Sequence, residues 1–230
     1  MGRAAVLFLA WLGGVGCVGG SDVPRAPSTP IPLQAAADPH PALYARAQAA
    51  EGRGDLAGAL SAYEEALRIP PSGPFEHLAV ARIQELKGDG ASAMATVQAG
   101  LALTPGDLDL AVRRAHLQAA AGDGDAALAT LGPVRAEDPT HLGARFGEIE
   151  ALIAAHRGED AEAAARAVIA ELPEEAEAHL WLARALYARG QGEACRAQID
   201  EGLTLAGDCE CMADVRQALT ALRARVGAAP

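Results

Sequence analysis

The sequence predicts an all-α solenoid of five helix–turn–helix repeats closed by one further helix. Three observations carry this expectation. Pro71, Pro105, Pro139 and Pro173 follow one another at intervals of 34 residues, and the next step lands on Gly207, another helix stopper. Twelve residues before each of these five stands a small side chain: Ala59, Ala93, Ala127, Ala161 and Cys195. Half of the 230 residues are hydrophobic but only 3% are aromatic, so the apolar content is mostly Ala, Leu and Val, of which the first two favour helix. A fixed period of this length marks a solenoid, because a single unit cannot bury its apolar face alone and must stack on its neighbours.

The chain begins with a different kind of segment. In residues 1–16, Arg3 precedes an uncharged apolar run from Ala4 to Leu12, followed by Gly13, Gly14, Val15 and Gly16. A membrane span needs about 20 apolar residues. This shorter run with small residues behind it reads as an export signal. Cys17 follows directly and resembles the lipidated cysteine of a bacterial lipoprotein box, although Gly14 stands where that family prefers Leu. The resemblance implies acylation of Cys17. It also implies an outer-membrane destination, since neither of the next two residues is Asp. The other reading is ordinary secretion with cleavage after Gly19, Gly20 or Ala37. Residues 17–39 then form the lipidation site and a linker, in which Pro24, Pro27, Pro30, Pro32 and Pro39 oppose helix and favour extended backbone.

The repeats occupy 40–73, 74–107, 108–141, 142–175 and 176–209 without a gap. In each, a residue for the turn between two helices recurs as Gly54, Gly88, Gly122, His156 and Gly190, where glycine turns the chain easily. Further small or branched residues recur as Ala47, Ala81, Ala115, Ile149 and Ala183, and as Ala66, Gly100, Val134, Val168 and Gly202. Small side chains let helices approach closely. The prolines end the second helix of each pair. In the fourth repeat His156-Arg157-Gly158 replaces the Gly-Asp turn, so its glycine stands two residues late and a shifted or extended first helix is expected there. Residues 210–226 form an amphipathic capping helix, with Ala213, Val215, Leu219, Leu222 and Val226 on one face and Arg216, Arg223 and Arg225 toward water; residues 227–230 are a tail.

These stretches, from Gly54-Asp55-Leu56-Ala57-Gly58-Ala59 to Pro71 and from Gly190-Gln191-Gly192-Glu193-Ala194-Cys195 to Gly202-Leu203, resemble the tetratricopeptide repeat. The resemblance covers about three quarters of the chain and implies eleven helices in a right-handed superhelix. It also implies that the first helix of each pair lines a concave groove for a protein or peptide partner. The fifth residues of the repeats would give that groove an apolar stripe of Tyr44, Leu78, Val112, Phe146 and Leu180. The ninth would give a polar row of Gln48, Arg82, His116, Glu150 and Arg184. Phe75 and Tyr187 would widen it. Replacing Tyr44 and Phe146 together by Asp is expected to abolish partner capture while leaving helicity intact. The same residues could instead pack helix against helix, with Glu150 paired to Arg184. A carboxylate-clamp role is disfavoured, because that clamp uses Lys and Asn and this chain has no Asn and a single lysine, Lys87.

Several chemistries find no support. A formal charge of −11 without a basic run argues against nucleic-acid binding. No nucleophile motif, phosphate loop or H-x-x-x-H spacing is present, so neither catalysis, a cofactor nor a small-molecule substrate is expected. Cys195 takes a packing position. It lies roughly 15 Å or more along its helix from Cys209 and Cys211, too far for a bridge. Cys209 and Cys211 could form a local, strained disulfide, and two thiols without a nearby histidine make a poor metal site. In layout the chain resembles repeat-containing lipoproteins that serve as pilotins or assembly factors in the bacterial envelope. The expectation is a membrane-anchored, periplasm-facing scaffold; the alternative is a soluble periplasmic or secreted module acting on an envelope enzyme.

Overall fold

The computed structural model describes residues 39–70 and 72–228. The export segment 1–16, Cys17, nearly all of the proline-rich linker, Pro71 and the last two residues lie outside them. The described residues form eleven α-helices and one 3-10 turn, numbered in chain order. The first helices of the pairs are α1 (His40–Gly52), α3 (Pro74–Leu86), α5 (Leu108–Ala120), α7 (Leu142–Ala154) and α9 (Ala176–Ala188), each 13 residues long. The second helices are α2 (Leu56–Leu67), α4 (Gly90–Leu103), α6 (Gly124–Glu137), α8 (Gly158–Glu171) and α10 (Gly192–Ala206). Both series start at intervals of 34 residues. Each helix packs on its neighbours in sequence, and first helices also pack on one another, α3 on α5, α5 on α7 and α7 on α9. This is the contact pattern of a solenoid.

The recurring small residues sit where helices cross. Ala59, Ala93, Ala127, Ala161 and Cys195 are all 0% exposed. At Gly100, an added Cβ would lie 2.9 Å from both the His77 ring and a Leu110 methyl, so glycine there sets how closely repeats two and three approach. Local signals start the second helices: Asp55, Asp89 and Asp123 each accept a hydrogen bond from the backbone N–H three residues on. A carboxylate at this position satisfies an otherwise unpaired donor and favours the positive end of the helix dipole.

The fourth repeat corrects the sequence reading. α7 is neither shifted nor extended, and it matches α5 and α9 in length. His156 itself takes the left-handed turn, with φ of +58°, where the other repeats use glycines at φ between +71° and +86°. Gly158 is therefore no displaced turn glycine. It opens α8 as Gly90, Gly124 and Gly192 open their helices. The capping segment also differs. A 3-10 turn at Glu210–Met212 precedes α11 (Ala213–Ala228), so the helix begins three residues later than expected and runs into the anticipated tail. Gly207 at φ +52° and the short Cys209–Cys211 link occupy the stretch where a regular first helix would start.

α11 packs on α10 and α9, burying Leu219, Leu222 and Val226 in a cluster shared with Trp181, Leu186 and Ile199. Its arginines do more than face water. Arg216 donates to the carbonyls of Gly207 and Cys209, Arg223 pairs with Asp200, and the Arg225 guanidinium lies 5.0 Å from the Tyr187 ring centre.

Candidate functional site

The first helices share one face that opens on a groove enclosing a cavity of about 810 Å³, lined by residues of α1, α3, α5, α7 and α9 together with Tyr63 of α2. Of the expected apolar stripe, Leu78 and Val112 lie half-buried on this wall. Phe146 also reaches the cavity but is only 6% exposed, stacked on Trp181 with ring centres 6.4 Å apart. Leu180 does not line the cavity; at 4% exposed it belongs to the core cluster that α11 joins. Tyr44 stands outside the cavity in an aromatic cluster, edge-on to Phe75 at 5.1 Å and 6.5 Å from Tyr63. The stripe thus opens at the N-terminal repeats and closes toward the C-terminal ones, where the cap supplies apolar neighbours.

The polar row is tied into a ladder that crosses repeat boundaries. Glu51 accepts from both Tyr63 and Arg82. Glu85 accepts from Arg113 at 2.8 Å and lies 3.4 Å from Nε2 of His116. Nδ1 of His116 in turn bonds Glu150 at 2.5 Å. The hydrogen bond to Glu150 outweighs burial and holds the His116 pKa above its ordinary value, with the charges of Glu150 and Glu85 adding to it. Glu150 therefore pairs with His116, while Arg184 lies over the Trp181 ring at 4.4 Å, its pKa pulled down by burial. Gln48 is exposed on the cavity wall.

Sequence reasoning missed much of the lining: Asp109, Arg113, Leu142, Glu175, Glu177 and Trp181 all face the cavity. Most follow from the helical period. Phe75, Asp109 and Glu177 take the second place in their repeats and Arg113 and Trp181 the sixth, one turn before the fifth and ninth places that the resemblance singles out. At the C-terminal end, Nε1 of Trp181 donates to Glu177 at 3.2 Å, and burial raises the Glu177 pKa. Glu76 is buried beside the aromatic cluster. Burial alone would raise its pKa, but hydrogen bonds from Tyr44 and the Gly73 N–H bring it below its usual value.

Cys195, Cys209 and Cys211 do not line the cavity. Cys195 is a buried free thiol whose pKa is raised by desolvation, and Cys209 is bonded to Cys211. Among the described residues no cluster of His, Cys, Asp or Glu suits a metal ion, and no helix is long and apolar enough to cross a membrane. Cys17 is outside the described residues.

Residues 118–168 and 152–222 match the model of the tetratricopeptide-repeat family. Solved structures share the fold. A thermophilic repeat protein of Thermus thermophilus is 20% identical, with a TM-score of 0.67 over 80% of this chain and 98% of its own. MamA of Desulfovibrio magneticus RS-1 is 19% identical, with a TM-score of 0.56 over 75% of this chain and 98% of its own. A tetratricopeptide-repeat protein of Parabacteroides merdae ATCC 43184 is 19% identical, with a TM-score of 0.52 over 82% of this chain and 76% of its own. At these identities the likeness establishes the fold alone. No curated protein matches the sequence.

Proposed function

We propose that this solenoid of helix pairs, whose residues 118–222 match the tetratricopeptide-repeat family, is a non-catalytic scaffold of the bacterial cell envelope that holds a protein partner in the groove of its first helices and aids assembly of a membrane complex. The observation that carries this reading is the groove itself, a cavity that spans all five repeats and exposes apolar surface between rows of polar groups. Such a surface accepts a peptide whose apolar side chains lie on Phe75, Leu78 and Val112 and whose polar groups bond along the ladder. Phe75, at 53% exposed, is among the large apolar side chains the fold leaves uncovered. Repeats of this kind act as binding modules, and stacked helix pairs provide extended surfaces suited to that role.

The envelope location rests on the sequence of residues 1–39. An acylated Cys17 followed by a proline-rich tether would hold the repeats at a distance from a membrane surface, and several acyl chains would make that attachment stable.

The test is co-purification after crosslinking in native membranes, with mass spectrometry of the mature N-terminus on the same material. Phe75→Asp with Val112→Asp is the informative pair. The Tyr44 and Phe146 pair suggested by the sequence would disturb packing, because Phe146 is buried and Tyr44 bonds Glu76. A defined partner held by the wild type and lost in the pair, on a chain beginning with acylated Cys17, supports the proposal. A partner kept by the pair moves binding off the groove. A free N-terminus beyond Cys17 removes the anchor and leaves the soluble periplasmic module.

A further inference from the structure

The charge of the groove is unbalanced in a way its own pairing does not cancel. Five carboxylates line the cavity, Glu51, Asp109, Glu150, Glu175 and Glu177, against two guanidinium groups, Arg82 and Arg113. The internal ladder joins Glu51 to Arg82 and Glu150 to His116, while Arg113 is bound to Glu85. Among the described residues no lysine or arginine forms an ion pair with Asp109, Glu175 or Glu177: Asp109 meets the His141 ring at 3.3 Å, Glu175 accepts from the Glu177 N–H, and Glu177 accepts from the indole of Trp181, with the charge of Arg184 acting on it without a direct contact. Asp109 and Glu177 sit in the first turns of α5 and α9, where a negative charge favours the helix dipole. That accounts for their place along the helix. It does not put them on the groove face, beside Val112, Leu142 and Trp181.

We propose that the groove's occupant is a cationic amphipathic segment of a partner protein, its apolar side chains on Phe75, Leu78, Val112 and Leu142 and its Lys or Arg side chains directed at Asp109, Glu175 and Glu177. This rests on the groove being the binding surface and adds the chemical class of what it binds. An acidic segment would bring like charges onto three carboxylates that form no direct ion pair with a lysine or arginine among the described residues, which suppresses wrong partners as well as favouring right ones. The row of arginines that would suit an acidic or phosphorylated ligand is committed: Arg82 and Arg113 are held by glutamates, and Arg184 is packed on Trp181.

The experiment uses the full chain and two fluorescent synthetic peptides of identical leucine and alanine pattern, one with lysine and arginine at the polar positions and one with glutamate. The basic peptide is expected to bind about ten-fold or more tightly than the acidic one and to weaken as salt is added. Asp109→Asn with Glu175→Gln should weaken the basic peptide by about three- to ten-fold, the scale of two exposed ion pairs. Neutralising two exposed carboxylates away from the cavity, Glu137→Gln with Glu201→Gln, should leave it within about two-fold if the groove and not the net charge attracts it. Equal binding of both peptides, binding of neither, or equal weakening by both variant pairs overturns the inference. A native partner captured at the groove through an acidic segment would overturn it while leaving the scaffold reading intact; capture of no partner at the groove would overturn both.

Discussion

His156 shows how much one backbone conformation decides. Left-handed φ costs an L-residue with a side chain roughly 1–2 kcal/mol relative to glycine, and His156 is exposed, so nothing it buries offsets that cost. His156→Gly should therefore stabilise the chain by about 1 kcal/mol, read as a rise of about 2–4 °C in melting temperature; a fall would show that the imidazole holds something in place. Gly124 and Gly90 occupy the same place in successive repeats but meet different surroundings. A Cβ at Gly124 would fall 2.4 Å from the Ala155 backbone nitrogen and 2.5 Å from the Ala151 oxygen, whereas one at Gly90 meets nothing within 4 Å. Gly124→Ala should cost about 1–3 kcal/mol and Gly90→Ala should be neutral or slightly stabilising, which parallel denaturant titrations would separate. His116 makes stability depend on pH. Its folded pKa is raised, first by the bond to Glu150, so its contribution is fully present below about 6.5 and is lost as pH rises through the higher folded value. The stability gap between the wild type and His116→Gln should be widest in mildly acidic solution and should close in alkali. A gap that widened with pH would mean that the pair is not ionic.

At the scale of elements, the periodic signals determine most of the fold and the exceptions have local causes. Prolines and small residues at a fixed spacing place ten helices, because each marks a helix end or a crossing that the fold repeats. The fourth turn misleads because residue type suggests a displaced glycine, when the conformation stays in register and histidine is made to adopt it. The start of the cap misleads because periodicity continues into 210–212, where the Cys209–Cys211 link and a 3-10 turn replace the first turn of helix. α11 lies against α9 and α10 and buries Leu219 completely. Leu219→Ala should cost about 2–5 kcal/mol. In a solenoid, where each unit contacts only its neighbours, amide exchange should quicken first in α9, α10 and α11 and leave α3 to α6 protected. Uniform loss of protection would show the array to unfold as one unit.

The whole molecule turns a one-dimensional repeat into a graded surface. The fifth-place stripe is legible as a column in the sequence, but its burial is not: the cap and Trp181 cover its C-terminal end, while Leu78 and Val112, with Phe75 one turn before Leu78, stay accessible. The ladder from Glu51 to Glu150 is likewise a product of stacking, since its partners stand 28 to 34 residues apart and meet only when repeats pack. The central claim, that a protein partner lies in this groove, is tested most directly by a photo-crosslinking residue at Val112, with one at the exposed Ala99 of α4 as its comparison. The account predicts a discrete adduct from position 112 in native envelopes, none from position 99, and loss of that adduct when Phe75→Asp is added. Adducts from position 99 alone would place the binding surface on the second helices and contradict it.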